Sequence, residues 1–208
     1  MNRILWAFCA ATALAGLMIF VDEPVSRAID HWISRDVQEY ASRFSKNGTL
    51  LYYAVFGGLY GYARIKRQRR IEVHCHAYLK AQLIFSFALV RVLKIGVGRM
   101  RPGTEPDFDF FSMDSRYNSF PSGHAADIFV GATILYALLK QTAFHQWRHV
   151  PILYATLVAV GRVAGGPHYL ADVLGGVLIG ICGALFFLSR KPDGVVIRKQ
   201  VGPAAGQR

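Results

Sequence analysis

The chain has 208 residues, 53% of them hydrophobic, and a formal net charge of +11 at pH 7. That length fits one domain, and the apolar residues fall in long blocks of the kind that span bilayers instead of alternating with charges. Such an excess of basic charge would suggest nucleic acid in a soluble protein, but no stacking or groove-reading module accompanies it, so a nucleic-acid partner is excluded.

Apolar blocks near residues 4–21, 48–63, 76–93, 124–140, 150–164 and 169–188 predict an all-α polytopic membrane protein with about six transmembrane helices; 48–63 and 150–164 are short for a span. The first block resembles a signal peptide in its Asn2-Arg3 start and its Ala13-Leu14-Ala15 run. It continues apolar through Val21 with no polar cleavage region, so a retained first helix is expected. From Pro24 to Lys46, the residues Val25, Ile29, Trp32, Ile33, Val37, Tyr40 and Phe44 recur at three- and four-residue steps. This spacing predicts an extra amphipathic helix, opened by Pro24 and lying along the outer membrane surface, with a lid over the site as the alternative.

Basic residues cluster after the second span (Arg64, Lys66, Arg67, Arg69, Arg70), between the fourth and fifth (Lys140, Arg148) and after the sixth (Arg190, Lys191, Arg198, Lys199). With alternating spans these segments share one side, which the positive-inside rule makes cytoplasmic. Both termini are then cytoplasmic, and the acidic residues gather on the other side. Residues 1–190 read as one integral-membrane domain and 191–208 as a polar cytoplasmic tail. His74 and His76 have no further ligand nearby and read as interfacial residues, not a metal site. Cys9, Cys75 and Cys182 read as packing thiols. Gly57 with Gly61, and Gly176 with Gly180, have the small-x-x-x-small spacing of packed helices. An acidic, aromatic loop over 99–120 is placed to guide a substrate.

Three stretches carry chemistry: Lys94-I-G-V-G-R-M-Arg101-Pro102, Pro121-Ser122-Gly123-His124 and Arg162-V-A-G-G-P-His168-Y-L-A-Asp172. Lys94 closes the third span, His124 opens the fourth, Arg162 closes the fifth and His168 precedes the sixth, so all reach one face. Lys94, Arg101 and Arg162 supply positive charge to a phosphate, the arginines as bidentate forks. Ser122, Gly123 and His124 lie where a helix begins, which offers backbone N–H groups and a dipole to an anion, and Gly123 lets the backbone approach closely. Asp172 stands one helical turn after His168. Asp127 is a second acidic suspect, able to tune His124 or to join a buried polar network. Arg91 reads as a structural partner for either aspartate, and Arg99 as peripheral.

Together the three blocks resemble the signature of the type 2 phosphatidic acid phosphatase superfamily, which also contains bacterial acid phosphatases and vanadium haloperoxidases. The resemblance runs from Lys94 to Asp172. It implies that His168 attacks phosphorus and forms a phosphohistidine, that Asp172 orients His168, and that His124 protonates the leaving alkoxide. It implies no metal and no other cofactor. The third block often begins Ser-Arg in that family; here Gly161 precedes Arg162. The expected protein is a lipid phosphatase of a bacterial inner membrane with its site at the outer face. Its substrate would be phosphatidylglycerophosphate, phosphatidic acid, undecaprenyl pyrophosphate or lipid A. A phosphotransferase using the same intermediate, and a silent lipid-phosphate binder or transporter, are the rival readings. Oligomeric state is not legible.

Overall fold

A computed structural model describes residues 3–103 and 107–190. The expected tail at 191–208 and Glu105 in the outer loop lie outside the described residues. The regular elements are helical: α1 (Arg3–Phe20), α2 (Asp22–Trp32), α3 (Arg35–Asn47), α4 (Thr49–Ile65), α5 (Arg69–Ala81), α6 (Val90–Val97), α7 (Gly123–Leu139), α8 (Val150–Ala164) and α9 (Leu170–Ser189). A π-helical stretch, Gln82–Leu89, joins α5 to α6 without a break. Short 3₁₀ turns at Ser115–Tyr117 and His145–Trp147 complete the set. Among the described residues the β-type pairing is confined to isolated bridges of Arg99 with Phe108 and Asn118.

The elements follow the predicted order, with two differences of form. Helix α9, at 20 residues, is long and apolar enough to cross a membrane. The pair Cys9–Phe20 and Asp22–Trp32 passes only when taken together, across a 49° bend, and α7 is apolar but shorter. The predicted amphipathic helix at 24–46 is divided in two. It starts at Asp22, ahead of Pro24, and breaks at Ile33–Ser34, where Ile33 turns to extended backbone. The Gln38 side chain spans that break, donating to the Ile33 carbonyl at 3.0 Å.

Beyond Asp127, helix α7 is apolar on every side because it is enclosed: Ile128, Val130 and Ile134 are fully buried. It packs between α9 and α8, with α4 and α5 behind and α3 laid along α8. Between helices in lipid, close packing contributes what water exclusion cannot, so small residues matter at the seams. Gly176 and Gly180 bear this out. A Cβ at either would stand 2.3 Å from the Ser122 carbonyl oxygen or 2.4 Å from that of Ala126. Gly57 and Gly61 do not serve the same purpose, since a Cβ at either meets nothing within 4 Å. Helix α4 turns Tyr52, Phe56 and Ala63 inward instead, and the glycine face points out. His74 also departs from expectation. It is buried, with Nδ1 2.8 Å from the Arg70 carbonyl, and does not reach for the interface.

The outer faces are apolar. Leu83, Ile84, Phe87 and Val92 on the third helical run, Leu153 and Leu157 on α8, and Leu174 and Leu178 on α9 are all exposed. A girdle of this size is covered by something apolar. At one end of the bundle Arg70 donates to the Gln141 carbonyl at 2.6 Å, which ties the basic α4–α5 turn to the α7–α8 turn. The opposite end carries the three sequence blocks.

Candidate active site

Four helix ends meet at that opposite end: the C-termini of α6 and α8 and the N-termini of α7 and α9. The chain leaves α6 through Gly98, whose left-handed φ of 54° and near contact with Asp109 exclude any side chain; a Cβ would lie 1.7 Å from the Asp109 oxygen. The loop then folds back on itself. Asp109 N–H donates to the Gly98 carbonyl at 2.8 Å, and Ser119 N–H to the Arg99 carbonyl at 2.9 Å.

This arrangement gathers the predicted residues. Lys94 donates its ammonium to the Asn118 carbonyl and lies 3.5 Å from that of Ser119. Arg162 is buried in the last turn of α8, and its Nε has no partner. Lys94, Arg101 and Arg162 interact electrostatically with one another and with His124, so the cations and the first histidine share one site. The Ser122 N–H donates to the Asp172 carbonyl at 2.8 Å. It is therefore spent on holding α7 to α9, while the buried Ser122 Oγ has no partner and the first-turn N–H groups of Gly123 and His124 have none within their own helix. A Cβ at Gly123 would meet only Val90, at 3.7 Å, so nothing in the protein itself crowds this position.

His168 is 3% exposed, with Nδ1 3.7 Å from Asp172 Oδ2. That is ion-pair range and longer than a hydrogen bond, as catalytic contacts often are before substrate binds. Burial pushes the His168 imidazolium down to about 4, against the opposing pull of Asp172. Asp172 is wholly buried and already accepts three hydrogen bonds. Its Oδ2 accepts from Ser119 Oγ at 2.5 Å and from the Tyr169 N–H at 2.9 Å, capping its own helix. Its Oδ1 accepts from Arg99 Nη1 at 2.8 Å.

Three partners in this network were not legible as such. Arg99 is not peripheral; it is buried and is the cation on Asp172, the role expected of Arg91, which is exposed. Ser119 hydrogen-bonds the same carboxylate. Asp22, far away in sequence, lies 2.8 Å from the same Arg99 nitrogen. Asp127 takes the second of its two expected roles: Tyr53 and Gln82 side chains both donate to its carboxylate. The missing serine before Arg162 also finds a reason. A Cβ at Gly161 would stand 3.0 Å from Ser45 Cβ and 3.1 Å from the Ala41 carbonyl, so α3 fills that space.

Beside His168 opens a cavity of about 330 Å³ whose walls include Val25, Ser26 and Ile29 of α2 and Gln38 of α3. The divided amphipathic segment thus walls the site on one face, while Trp32, Val37 and Tyr40 are exposed on the other.

Comparison with known proteins decides the family. The PAP2 superfamily model matches residues 76–193, more than half of the chain and all three blocks. The chain belongs to the PAP2 superfamily. A lipid A 1-phosphatase of Rhizobium etli is 31% identical over 222 residues, covering 94% of this chain and 92% of that protein. Among solved structures, Aquifex aeolicus LpxE superposes with a TM-score of 0.57 at 25% identity, covering 82% of this chain and 96% of that one. A PAP2-type phosphatidylglycerolphosphate phosphatase from Bacillus subtilis superposes with a TM-score of 0.65 at 22% identity, over 89% and 93%, a likeness of fold. This PAP2 protein is a membrane lipid phosphatase, an enzyme acting on phosphate esters.

Proposed function

We propose that the protein removes the glycosidic phosphate of a lipid A-type acylated disaccharide by way of a phosphohistidine. What carries the reading is the convergence of Lys94, Arg101, Arg162, His124 and the buried His168–Asp172 pair at one end of the bundle. The substrate class rests on a relative that matches along nearly the whole chain, a lipid A 1-phosphatase.

The cations and the Gly123 and His124 N–H groups hold the phosphate oxygens. Phosphoryl transfer needs little beyond such positioning and charge stabilisation. His168 is neutral at pH 7, and Asp172 accepts its Nδ1 proton, which leaves the Nε2 lone pair free. Nε2 forms a bond to phosphorus as the phosphorus–oxygen bond to the sugar breaks. Burial and the charges of Arg162 and Lys94 push the His124 imidazolium down to about 4 in the free site; the bound phosphate offsets those cations and brings His124 its proton, which His124 gives to the departing oxygen. It then takes one from a water molecule that attacks the phosphohistidine, which frees inorganic phosphate and restores both histidines. The outward-facing apolar girdle and the basic turns at the far end support about six spans, with both termini cytoplasmic and the site at the periplasmic face of a bacterial inner membrane.

The test is phosphate release by purified wild-type and His168→Ala protein from lipid A, phosphatidylglycerophosphate, phosphatidic acid and undecaprenyl pyrophosphate in mixed micelles. Release from lipid A by wild type alone is expected. Substantial release by His168→Ala would overturn the nucleophile assignment, and a preference for a glycerophospholipid would overturn the substrate.

A further inference from the structure

Arg99 is enclosed on three sides by groups from different parts of the chain. One of its nitrogens, Nη1, lies 2.8 Å from both Asp172 Oδ1 and Asp22 Oδ2. Its guanidinium carbon stands 4.1 Å from the centre of the Tyr169 ring, a cation–π contact. All four residues are at most 4% exposed. Asp22 makes a second contact that fixes its place: Oδ1 accepts the N–H of Ala171 at 2.9 Å, in the first turn of α9. That N–H is one of the orphan donors of a helix start, here satisfied by a side chain 149 residues away. Asp22 also lines the cavity beside His168, at the head of the α2 wall.

We propose that Asp22 and Arg99 are positioning residues of this active site: Arg99 holds the Asp172 carboxylate aimed at His168, and Asp22 holds Arg99 while pinning the α2 wall to the start of α9. The charge count explains why both are needed. Two buried carboxylates share one guanidinium, leaving the cluster with an excess negative charge. Burial holds the Asp22 carboxyl above its usual range, while the Ala171 N–H and Arg99 oppose this. A buried charge stripped of its partner is strongly unfavourable. Loss of Arg99 would therefore leave Asp172 facing Asp22 unneutralised, with Oδ1 unpaired and the carboxylate readier to take up a proton or to pivot about the bonds that Ser119 and the Tyr169 N–H make to Oδ2. The charged and titratable groups acting on the His168–Asp172 pair are Arg99 from the loop after α6, Asp22 from α2, Tyr169 beside it, Lys94 from α6 and Arg162 from α8.

The two residues carry opposite charges, so their removal must move the pair in opposite directions. The proposal rests on the histidine chemistry above and is tested with the full chain in lipid A mixed micelles, by kcat and KM across the acidic to neutral range. Arg99→Gln is expected to lower kcat about 100-fold with little change in KM and to move the acid limb up by about one pH unit, since protonating the pair becomes easier. Asp22→Asn is expected to lower kcat about 10-fold and to move the acid limb to lower pH. The double variant should be faster than Arg99→Gln alone, because it removes one of two unneutralised buried carboxylates. Arg99→Lys should keep the wild-type acid limb while losing rate.

Additive losses that track thermal stability, with an unshifted acid limb, would overturn the positioning role. Should Arg99→Gln fail to fold, Asp22→Asn and Arg99→Lys carry the test, and an unmoved limb in Asp22→Asn is enough to refute it. Activity retained by His168→Ala would instead refute the underlying chemistry.

Discussion

Gly176 is the point at which helix packing and chemistry meet, and Gly176→Ala tests the connection. The added Cβ would stand 2.3 Å from the Ser122 carbonyl oxygen, 3.0 Å from Ala125 Cβ and 3.2 Å from the Ala126 nitrogen. Two of these neighbours are backbone and cannot swing aside. Restoring an ordinary contact of 3.4 Å to the oxygen requires a local separation of 3.4 − 2.3 = 1.1 Å between α7 and α9. That shift moves Ser122, Gly123 and His124 away from Asp172 and stretches the 2.8 Å hydrogen bond from the Ser122 N–H. Overpacking of this kind costs about 1–3 kcal/mol, and a displacement of this size in a catalytic constellation lowers kcat about 100-fold. Gly180→Ala, one turn deeper and 2.4 Å from the Ala126 oxygen, should cost similar stability with a smaller loss of kcat. Gly57→Ala, which meets nothing within 4 Å, should keep full activity and gain about 0.5–1 kcal/mol from helix propensity. The assay is phosphate release in mixed micelles alongside thermal unfolding of the same preparations. A folded Gly176→Ala protein with wild-type kcat would refute the idea that α7–α9 clearance sets the anion site.

Asp172→Asn should slow turnover about 10⁴-fold, as a wrong imidazole tautomer does in hydrolytic triads, and should also leave Arg99 paired with Asp22 alone; near-normal kcat in single-turnover measurements would rule out the orienting role. For His124→Ala, loss of rate should be greatest with alkyl phosphates and smallest with aryl phosphates that leave without a proton. An equal loss across a leaving-group series would contradict the general-acid role. Because burial lowers the His168 imidazolium from 6.5 to about 4, the nucleophile stays unprotonated as pH falls through 6.5 and is lost only near 4. After allowance for the substrate phosphate's own ionisation at about pH 6, the acid limb of kcat/KM should therefore lie well below 6.5, and a limb at 6.5 or higher would mean that His168 is solvated.

Much of the site could be read from the chain because phosphate chemistry demands particular residue types at particular helix ends. Lys94, Arg101, Ser122, Gly123, His124, Arg162, His168 and Asp172 stand in three short runs, and each run sits where an apolar block begins or stops. Arg99 and Asp22 were illegible for a different reason. An arginine two residues before Arg101 has no local pattern that says it turns inward, and an aspartate at the end of the first apolar block looks like any boundary acid. Their roles arise from the fold of the 98–122 loop and from the docking of α2 against α9, contacts between residues far apart in sequence. The break in the 24–46 helix was hidden similarly. Periodicity gives an amphipathic helix, whereas the turn at Ile33–Ser34 shows only in the folded chain, where residues of both halves line one cavity.

The sequence by itself determined the helical class, the order of the elements and which charged and titratable residues stand at four helix ends, because hydrophobic block length and motif spacing are local properties of the chain. The tertiary structure alone decided which groups hold the Asp172 carboxylate and which glycines the helix seams require. Gly57 and Gly176 have the same spacing to a second glycine, yet only Gly176 faces a backbone carbonyl within 2.3 Å. The Asp172 carboxylate likewise draws its cation from Arg99 and not from Arg91. Burial and partner choice depend on which faces meet, and that is settled when the whole bundle packs.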